Sequence, residues 1–256
     1  MISGARERQL IEAADLLLDA RRTATPIDDL PLELQPTTLD DAYLVQDTIA
    51  AAYGPIGGWK VGAPTPEASP SFAPMPAAWI ASSGALLGGV TRRYRGLEAE
   101  IAFLVGQDLP PRATPYSREE VLAAMASCHP AIEVLESGLA DPVAAPKLSM
   151  ISDIQMHGGF IYGSAFEGWQ TFDFTQEKVM LAVEGSVRVE RTGSNTSGDF
   201  FRLLHWLANE GAARTGGLRA GQWITTGSWT GNIQTIAGAS VDAHFATAGQ
   251  ASLRFA

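Results

Sequence analysis

Leu97-Glu98-Ala99-Glu100-Ile101-Ala102-Phe103-Leu104-Val105 decides how the rest of the chain is read. The stretch is rich in aliphatic and aromatic residues, and it predicts a strand. Side chains alternate between the two faces of a strand. Leu97, Ala99, Ile101 and Phe103 therefore share one face, aimed at a core, while Glu98 and Glu100 share the other. Two like charges placed this way repel unless something compensates them. A lysine or arginine, a shared proton, or a metal ion would each serve.

A third carboxylate sits in a similar run, Ala131-Ile132-Glu133-Val134-Leu135-Glu136. Buried without a partner, Glu133 would be costly. A salt bridge to a distant arginine is one solution, and metal ligation is the other. Two acids from one strand and one from a later strand make a candidate facial set of oxygen ligands. Hard oxygen donors with no cysteine among them suit Mg²⁺ or Mn²⁺. None of the four histidines (His129, His157, His205, His244) has a spacing that favours zinc. Upstream, Gly54-Pro55-Ile56-Gly57-Gly58-Trp59-Lys60-Val61-Gly62 places a lysine among glycines. Glycine lets backbone approach a ligand closely, and a desolvated lysine is a tunable acid–base group. The alternative is a surface lysine with a snorkelling stem. There is no Gly-x-Ser-x-Gly elbow, no phosphate loop and no dinucleotide glycine fingerprint.

The surrounding chain has 256 residues, 46% hydrophobic and 18% charged, enough for a sizeable core. Its net charge is -10, with no Lys/Arg cluster, which argues against nucleic acid or an anionic membrane surface as a partner. Cys128 is the sole cysteine, so no intramolecular disulfide forms, in keeping with a reducing cytoplasm. No signal-peptide pattern and no membrane-spanning apolar run is expected.

Two N-terminal helices are expected. Leu10, Ile11, Ala14, Leu17 and Leu18 make the stripe of the first, closed by Arg21 and Arg22. Thr38 caps the second, with Ala42, Val45, Ile49 and Ala52 inward. Residues 63–90, rich in proline, read as loop. Ser117 and Glu120 form a capping box for a helix through about Cys128, stopped at His129-Pro130. Val179–Val189 reads as a hairpin with a Glu-Gly turn, and Asp199 opens a helix bearing Phe200, Leu203, Leu204, Leu207 and Ala208. The C-terminal part is strands again. The fold class is α+β, with a helical part over residues 1–55 and a β-rich part over 56–256.

These residues together resemble the 2-keto-4-pentenoate hydratase family, within the fumarylacetoacetate hydrolase-like group. The resemblance rests on Gly58-Trp59-Lys60-Val61-Gly62, on Leu97 to Phe103, and on Pro130 to Ser137. It continues through Leu207-Ala208-Asn209, Gly221 to Thr230 and Ala248 to Phe255. It implies a mixed β-roll core and a divalent cation, Mg²⁺ or Mn²⁺, on Glu98, Glu100 and Glu133. It also implies an active-site lysine at Lys60, substrate contacts from Lys60 and a donor-rich turn at Ser228 to Thr230, and assembly as a homo-oligomer. The implied activity is that of a metal-dependent hydro-lyase on a small anionic 2-keto acid or its enol, of the kind met in aromatic breakdown. Decarboxylation of a 2-keto dicarboxylate, acylpyruvate hydrolysis and a non-catalytic role are the alternatives. Departures from the family pattern fall at Ser71 to Pro76, where an acid is usual and Glu67 is the nearest carboxylate, and at Asp153-Ile154-Gln155-Met156-His157. A third falls at Glu136-Ser137-Gly138, and with these departures His157 is left as a candidate acid–base group, the alternative being a packed or exposed histidine.

Overall fold

The computed structural model describes residues 4–88, 92–211, 214 and 216–256. In chain order the elements begin with helices α1 (Gly4–Thr23) and α2 (Leu39–Ala52). Strands β1 (Ile56–Gly62), β2 (Ser71–Pro76), β3 (Ile80–Ser82), β4 (Ala85–Leu87) and β5 (Gly96–Val105) follow. Next come α3 (Arg118–Ala123), β6 (Met125–Leu135), α4 (Lys147–Ser152) and β7 (His157–Tyr162). The chain closes with β8 (Lys178–Val183), β9 (Ser186–Thr192), α5 (Phe201–Trp206), β10 (Trp223–Ser228), β11 (Ile233–Gln234), β12 (Ser240–Phe245) and β13 (Gly249–Phe255).

The strands form two mixed sheets. The larger runs β2-β1-β10-β5-β6-β7-β3, with β11 added to β5; the smaller runs β4-β13-β12-β8-β9. β5 behaves as its alternation demands. Leu97, Ala99, Ile101 and Phe103 are fully buried in a core shared with Val179, Leu181, Val241, Ala243 and Phe245 of the smaller sheet. The opposite face of β5 carries Glu98 and Glu100, and beyond them Ala102 packs with Met75, Ala131, Phe160 and Trp223. Local signals are obeyed where local chemistry suffices. Thr38 caps α2 by accepting from the Asp41 N–H. Ser117 and Glu120 close a reciprocal capping box. Glu184 and Gly185 turn the β8–β9 hairpin with φ of 51° and 69°, as a two-residue type I′ turn requires.

Four expectations need correction. Residues 63–88 are not all loop: β2, β3 and β4 lie there, and residues 89 and 90 fall outside the described residues. Pro74 and Pro76 fit because β2 is an edge strand, where a missing N–H is tolerated. The helix after Ser117 stops at Ala123, and the chain turns directly into β6, which carries Pro130 in its interior. Ala52 of α2 is exposed. In α1, Ile11 is 41% exposed while Ala13 and Arg21 are buried; Arg21 does more than complement the helix end, as its partners below show. Leu10, Ala13, Ala14 and Leu17 pack with Val45 and Ile49 of α2 onto Ala73, Leu139 and Ile154. Among the described residues no helix is long and apolar enough to cross a membrane.

β1 lies between β2 and β10, and it approaches both closely at Gly58. A methyl group there would stand 2.7 Å from Met75 Cε and nearer still to the Trp223 carbonyl. Gly58→Ala is expected to force these strands apart, costing about 1–3 kcal/mol. That lowers Tm by roughly 3–10 °C in calorimetry; an unchanged Tm would contradict the close approach.

Candidate active site

The acids meet because of strand register. Glu98 of β5 lies directly opposite Glu133 of β6, and Glu100 lies two residues along on the same face. One oxygen from each of Glu98, Glu100 and Glu133 falls within 4.8 Å of the others. β10 pairs with the other edge of β5, and β1 pairs with β10, so Lys60 reaches the same place across two strands. Its Nζ stands 2.7 Å from Glu133 Oε1 and donates to the Gln155 carbonyl at 2.9 Å. The Lys60 side chain is only 14% exposed, which decides against a surface lysine.

Each acid has its own support. Glu133 Oε1 also accepts from His157 Nδ1 at 2.9 Å, while Oε2 has no partner among the described residues. Glu100 Oε2 accepts from Thr225 Oγ1 and from the Gly227 N–H at 3.1 Å. Gly227 presents that N–H from a backbone with φ of 83°, at the point where β10 loses register with β5. Ser228 lies beside Glu98 and lines the cavity over the acids.

Electrostatics follow from this crowding. Burial, with help from Glu133, pushes Glu98 up to about 7 despite Lys60. Burial and the charges of Glu133 and Glu98 hold Glu100 well above the usual carboxylate range. Burial also pushes on Glu133, but the Lys60 ammonium and the His157 hydrogen bond outweigh it and hold it below that range. Burial pulls Lys60 down, but the three carboxylates together keep it above its ordinary value, so it is an ammonium at neutral pH. Burial keeps His157 neutral. With Glu133 ionised, His157 therefore donates from Nδ1. Once all three carboxylates are ionised, as cation ligands must be, they and the one ammonium leave two negative charges uncompensated. The residues fit a divalent cation on two counts: that residual charge, and the unpartnered buried Glu133 Oε2.

The cavity above the acids has a volume of about 290 Å³. Its walls include Val61, Ala63, Pro64, Ser71, Gln155 and Thr196. Among the described residues lining it, Lys60 is the one cation, and the three glutamates are the only acids. Larger hollows of about 530 and 500 Å³ lie elsewhere, lined in part by Arg22, Trp79 and Arg92 and by Asp47, Arg214 and Gln222. They lack the convergent acids.

The structure thus brings Lys60, Glu98, Glu100, Glu133 and Ser228 together. Thr230 sits behind them. Its Oγ1 accepts from the Ala99 N–H at 3.0 Å and donates to the Gly231 carbonyl, and it does not line the cavity. With Trp229 N–H on the Ala99 carbonyl at 2.9 Å, it clamps the backbone between Glu98 and Glu100. Glu67 is exposed and away from the cavity. In the segment where family members carry an acid, Ser71 faces the cavity and bonds Gln155 Oε1 at 3.3 Å. Sequence reasoning missed Thr225, Gly227 and Gln155. No local pattern marks them, because they are recruited by pairing across β10 and by one backbone carbonyl.

Comparison with known proteins bears out the resemblance and the fold. No protein-family model matches the chain. The 2-hydroxyhexa-2,4-dienoate hydratase of Comamonas testosteroni is 27% identical over 158 residues, 62% of this chain and 59% of that protein. The match thus spans less than two thirds of that relative's length. The 4-oxalocrotonate decarboxylase from Pseudomonas putida G7, complexed with magnesium and adipate, superposes with a TM-score of 0.84 at 22% identity. That superposition covers 97% of this chain and 98% of the other. Fumarylpyruvate hydrolase from Pseudomonas aeruginosa, in complex with Mn²⁺ and pyruvate, gives a TM-score of 0.58 at 14% identity over 77% of this chain and 88% of that one. The fold is that of the fumarylacetoacetate hydrolase-like proteins, α+β with mixed sheets.

The raised Glu98 value carries a stability consequence. A carboxyl whose folded pKa exceeds its unfolded one binds its proton more tightly in the folded chain. Its contribution is full below about pH 4.5 and is lost as pH rises through about 7. Metal-free protein is expected to lose Tm across that window, and Glu98→Gln to flatten the loss. An identical pH profile in the two proteins would contradict the crowded-acid geometry.

Proposed function

We propose that the protein is a divalent-metal-dependent lyase acting on a 2-hydroxy-2,4-dienoate or 2-keto-4-enoate, to which it adds water. One observation carries the reading: three carboxylates with oxygens within 4.8 Å of one another, beside a buried lysine. Glu98, Glu100 and Glu133 would hold Mg²⁺ or Mn²⁺. When bound, the ion would supply Lewis-acid stabilisation of charge on the substrate's carboxylate and C2 oxygen.

The side chains supply the rest. Lys60 is protonated, and an ammonium has three hydrogens to donate. Two go to Gln155 and Glu133, which leaves one for the substrate carboxylate or for proton delivery to a carbon. Ser228 offers a hydroxyl to the cavity, and Val61, Ala63 and Pro64 offer an uncharged surface for the substrate tail. The hydratase likeness over part of the chain supports the direction of the chemistry. The division into a helical part (1–55) and a catalytic part (56–256) belongs to the same proposal, as does assembly into a homo-oligomer.

A second reading, decarboxylation of a 2-keto dicarboxylate, is favoured by the sparseness of the cavity. Loss of CO₂ needs an electron sink and a proton donor, and among the described residues only Lys60 and the three acids titrate there. Incubation with 2-hydroxypenta-2,4-dienoate and Mg²⁺ separates the two. Loss of the conjugated absorbance without CO₂ is expected; CO₂ from a keto-diacid with the dienoate untouched would move the assignment to the second reading. Turnover of neither, with cleavage of an acylpyruvate, would indicate a hydrolase, and no turnover of any would indicate a binding role. Chelation by EDTA is expected to abolish activity and Mg²⁺ to restore it. Lys60→Met is expected to reduce kcat by about 100-fold or more while sparing Mg²⁺ affinity; near-normal kcat would remove Lys60 from the site.

A further inference from the structure

We infer that Arg21, from the N-terminal helix, is a positioning residue that sets Lys60 by clamping the strained backbone segment on which Lys60 rests. The inference rests on the reading of Lys60 as a site residue.

The segment is Ile154-Gln155-Met156. All three residues are in the left-handed region, with φ of 43°, 48° and 64°. None is glycine, and L-residues adopt that conformation in succession only when the surroundings impose it. The strain is placed where it has an effect. The Gln155 carbonyl accepts from Lys60 Nζ at 2.9 Å. The Gln155 side chain is fixed as well: its Nε2 donates to the Phe72 carbonyl at 2.5 Å and its Oε1 accepts from Ser71 Oγ at 3.3 Å. One residue further, His157 donates to Glu133, which also pairs with Lys60. A shift of this segment would therefore move both supports of the ammonium together.

Arg21 holds both ends of the segment. Its Nε donates to Asp153 Oδ1 at 2.5 Å and its Nη2 to the Asp153 carbonyl at 2.9 Å, before the left-handed run. Its Nη1 donates to the His157 carbonyl at 2.9 Å, after the run. Nη2 also reaches the Glu136 carbonyl at 2.9 Å, on the neighbouring end of β6. The second oxygen of Asp153 is held by Ser137 Oγ at 2.5 Å and the Gly138 N–H at 2.9 Å. Arg21 is 6% exposed and Asp153 fully buried. A rigid five-donor fork can span such a set of acceptors; a single ammonium cannot. The geometry goes beyond helix packing, which needs an apolar side chain at this position rather than a guanidinium turned into the sheet end. The N-terminal helix thus contributes to the site through the backbone that carries Lys60.

Two variants and two readouts test this. Arg21→Ala removes the fork, and Arg21→Lys keeps a charge toward Asp153 while giving up the span to His157. Lys60 is one of three lysines, with Lys147 and Lys178 both exposed. Amine acetylation read by mass spectrometry therefore reports Lys60 protection against two internal references. In the folded Arg21→Lys variant, Lys60 is expected to label about tenfold faster than in the wild type, with Lys147 and Lys178 unchanged. Turnover is expected to fall about 100-fold in kcat, with little change in KM or in Mg²⁺ affinity. Added guanidinium ion is expected to restore Lys60 protection and kcat in Arg21→Ala. Wild-type labelling of Lys60 in Arg21→Lys would overturn the inference, as would a kcat loss that guanidinium leaves untouched in a folded Arg21→Ala. Should Arg21→Ala fail to fold, Arg21→Lys decides alone. Should the wild type turn over none of the proposed substrates, the labelling still decides, so the two readings fail separately.

Discussion

The repulsion among Glu98, Glu100 and Glu133 is the constraint on which the rest depends. Three carboxylates are gathered where burial already disfavours charge, and one lysine cannot neutralise them. Proteins tolerate such an arrangement when another charge completes it or when protons are held abnormally tightly. Both signs are present: Glu98 and Glu100 are pushed upward, while Glu133, which holds both Lys60 and His157, is pushed downward. The asymmetry follows from register. Glu133 is the acid that β1 and β7 both reach, so it takes the cation and the imidazole. Glu100 receives only a hydroxyl and a backbone N–H from β10.

The sheet makes this crowding durable. β5 is paired on both sides, by β6 over most of its length and by β10 and β11 on the other edge. Its buried face is locked by Leu97, Ala99, Ile101 and Phe103. A slip of one residue would turn those side chains outward and the acids inward, so the packing of one face fixes the charges of the other. The Thr230 hydroxyl and the Trp229 N–H hold the Ala99 peptide between the two glutamates. The site is therefore built on strand backbone rather than on loops, with the Ile154–Met156 segment as the exception.

What was legible in the sequence was local or alternating. The β5 face assignment, the Ser117 capping box, the Thr38 cap and the Glu184–Gly185 turn each follow from a few adjacent residues. The prolines of residues 63–88 misled because proline marks a loop and an edge strand equally well, and only the sheet order separates them. The helix expected after Ser117 ended early because β6 needs the residues from Met125 onward. The supports of the acids were illegible for a different reason. Thr225 and Gly227 matter through their place beside β5, and Gln155 matters through a carbonyl that every residue has. Arg21 read as a helix-end charge, since its partners lie more than a hundred positions along the chain.

Calorimetric titration of metal-free protein with Mg²⁺ near pH 7, repeated in buffers of different ionisation heat, tests the central claim most directly. Burial holds the Glu98 and Glu100 carboxyls above the usual carboxylate range, and a cation on the three acids must displace the protons they retain. The account predicts saturable binding of one ion per chain with release of protons to the buffer. Absence of binding, or binding that releases none, would contradict it.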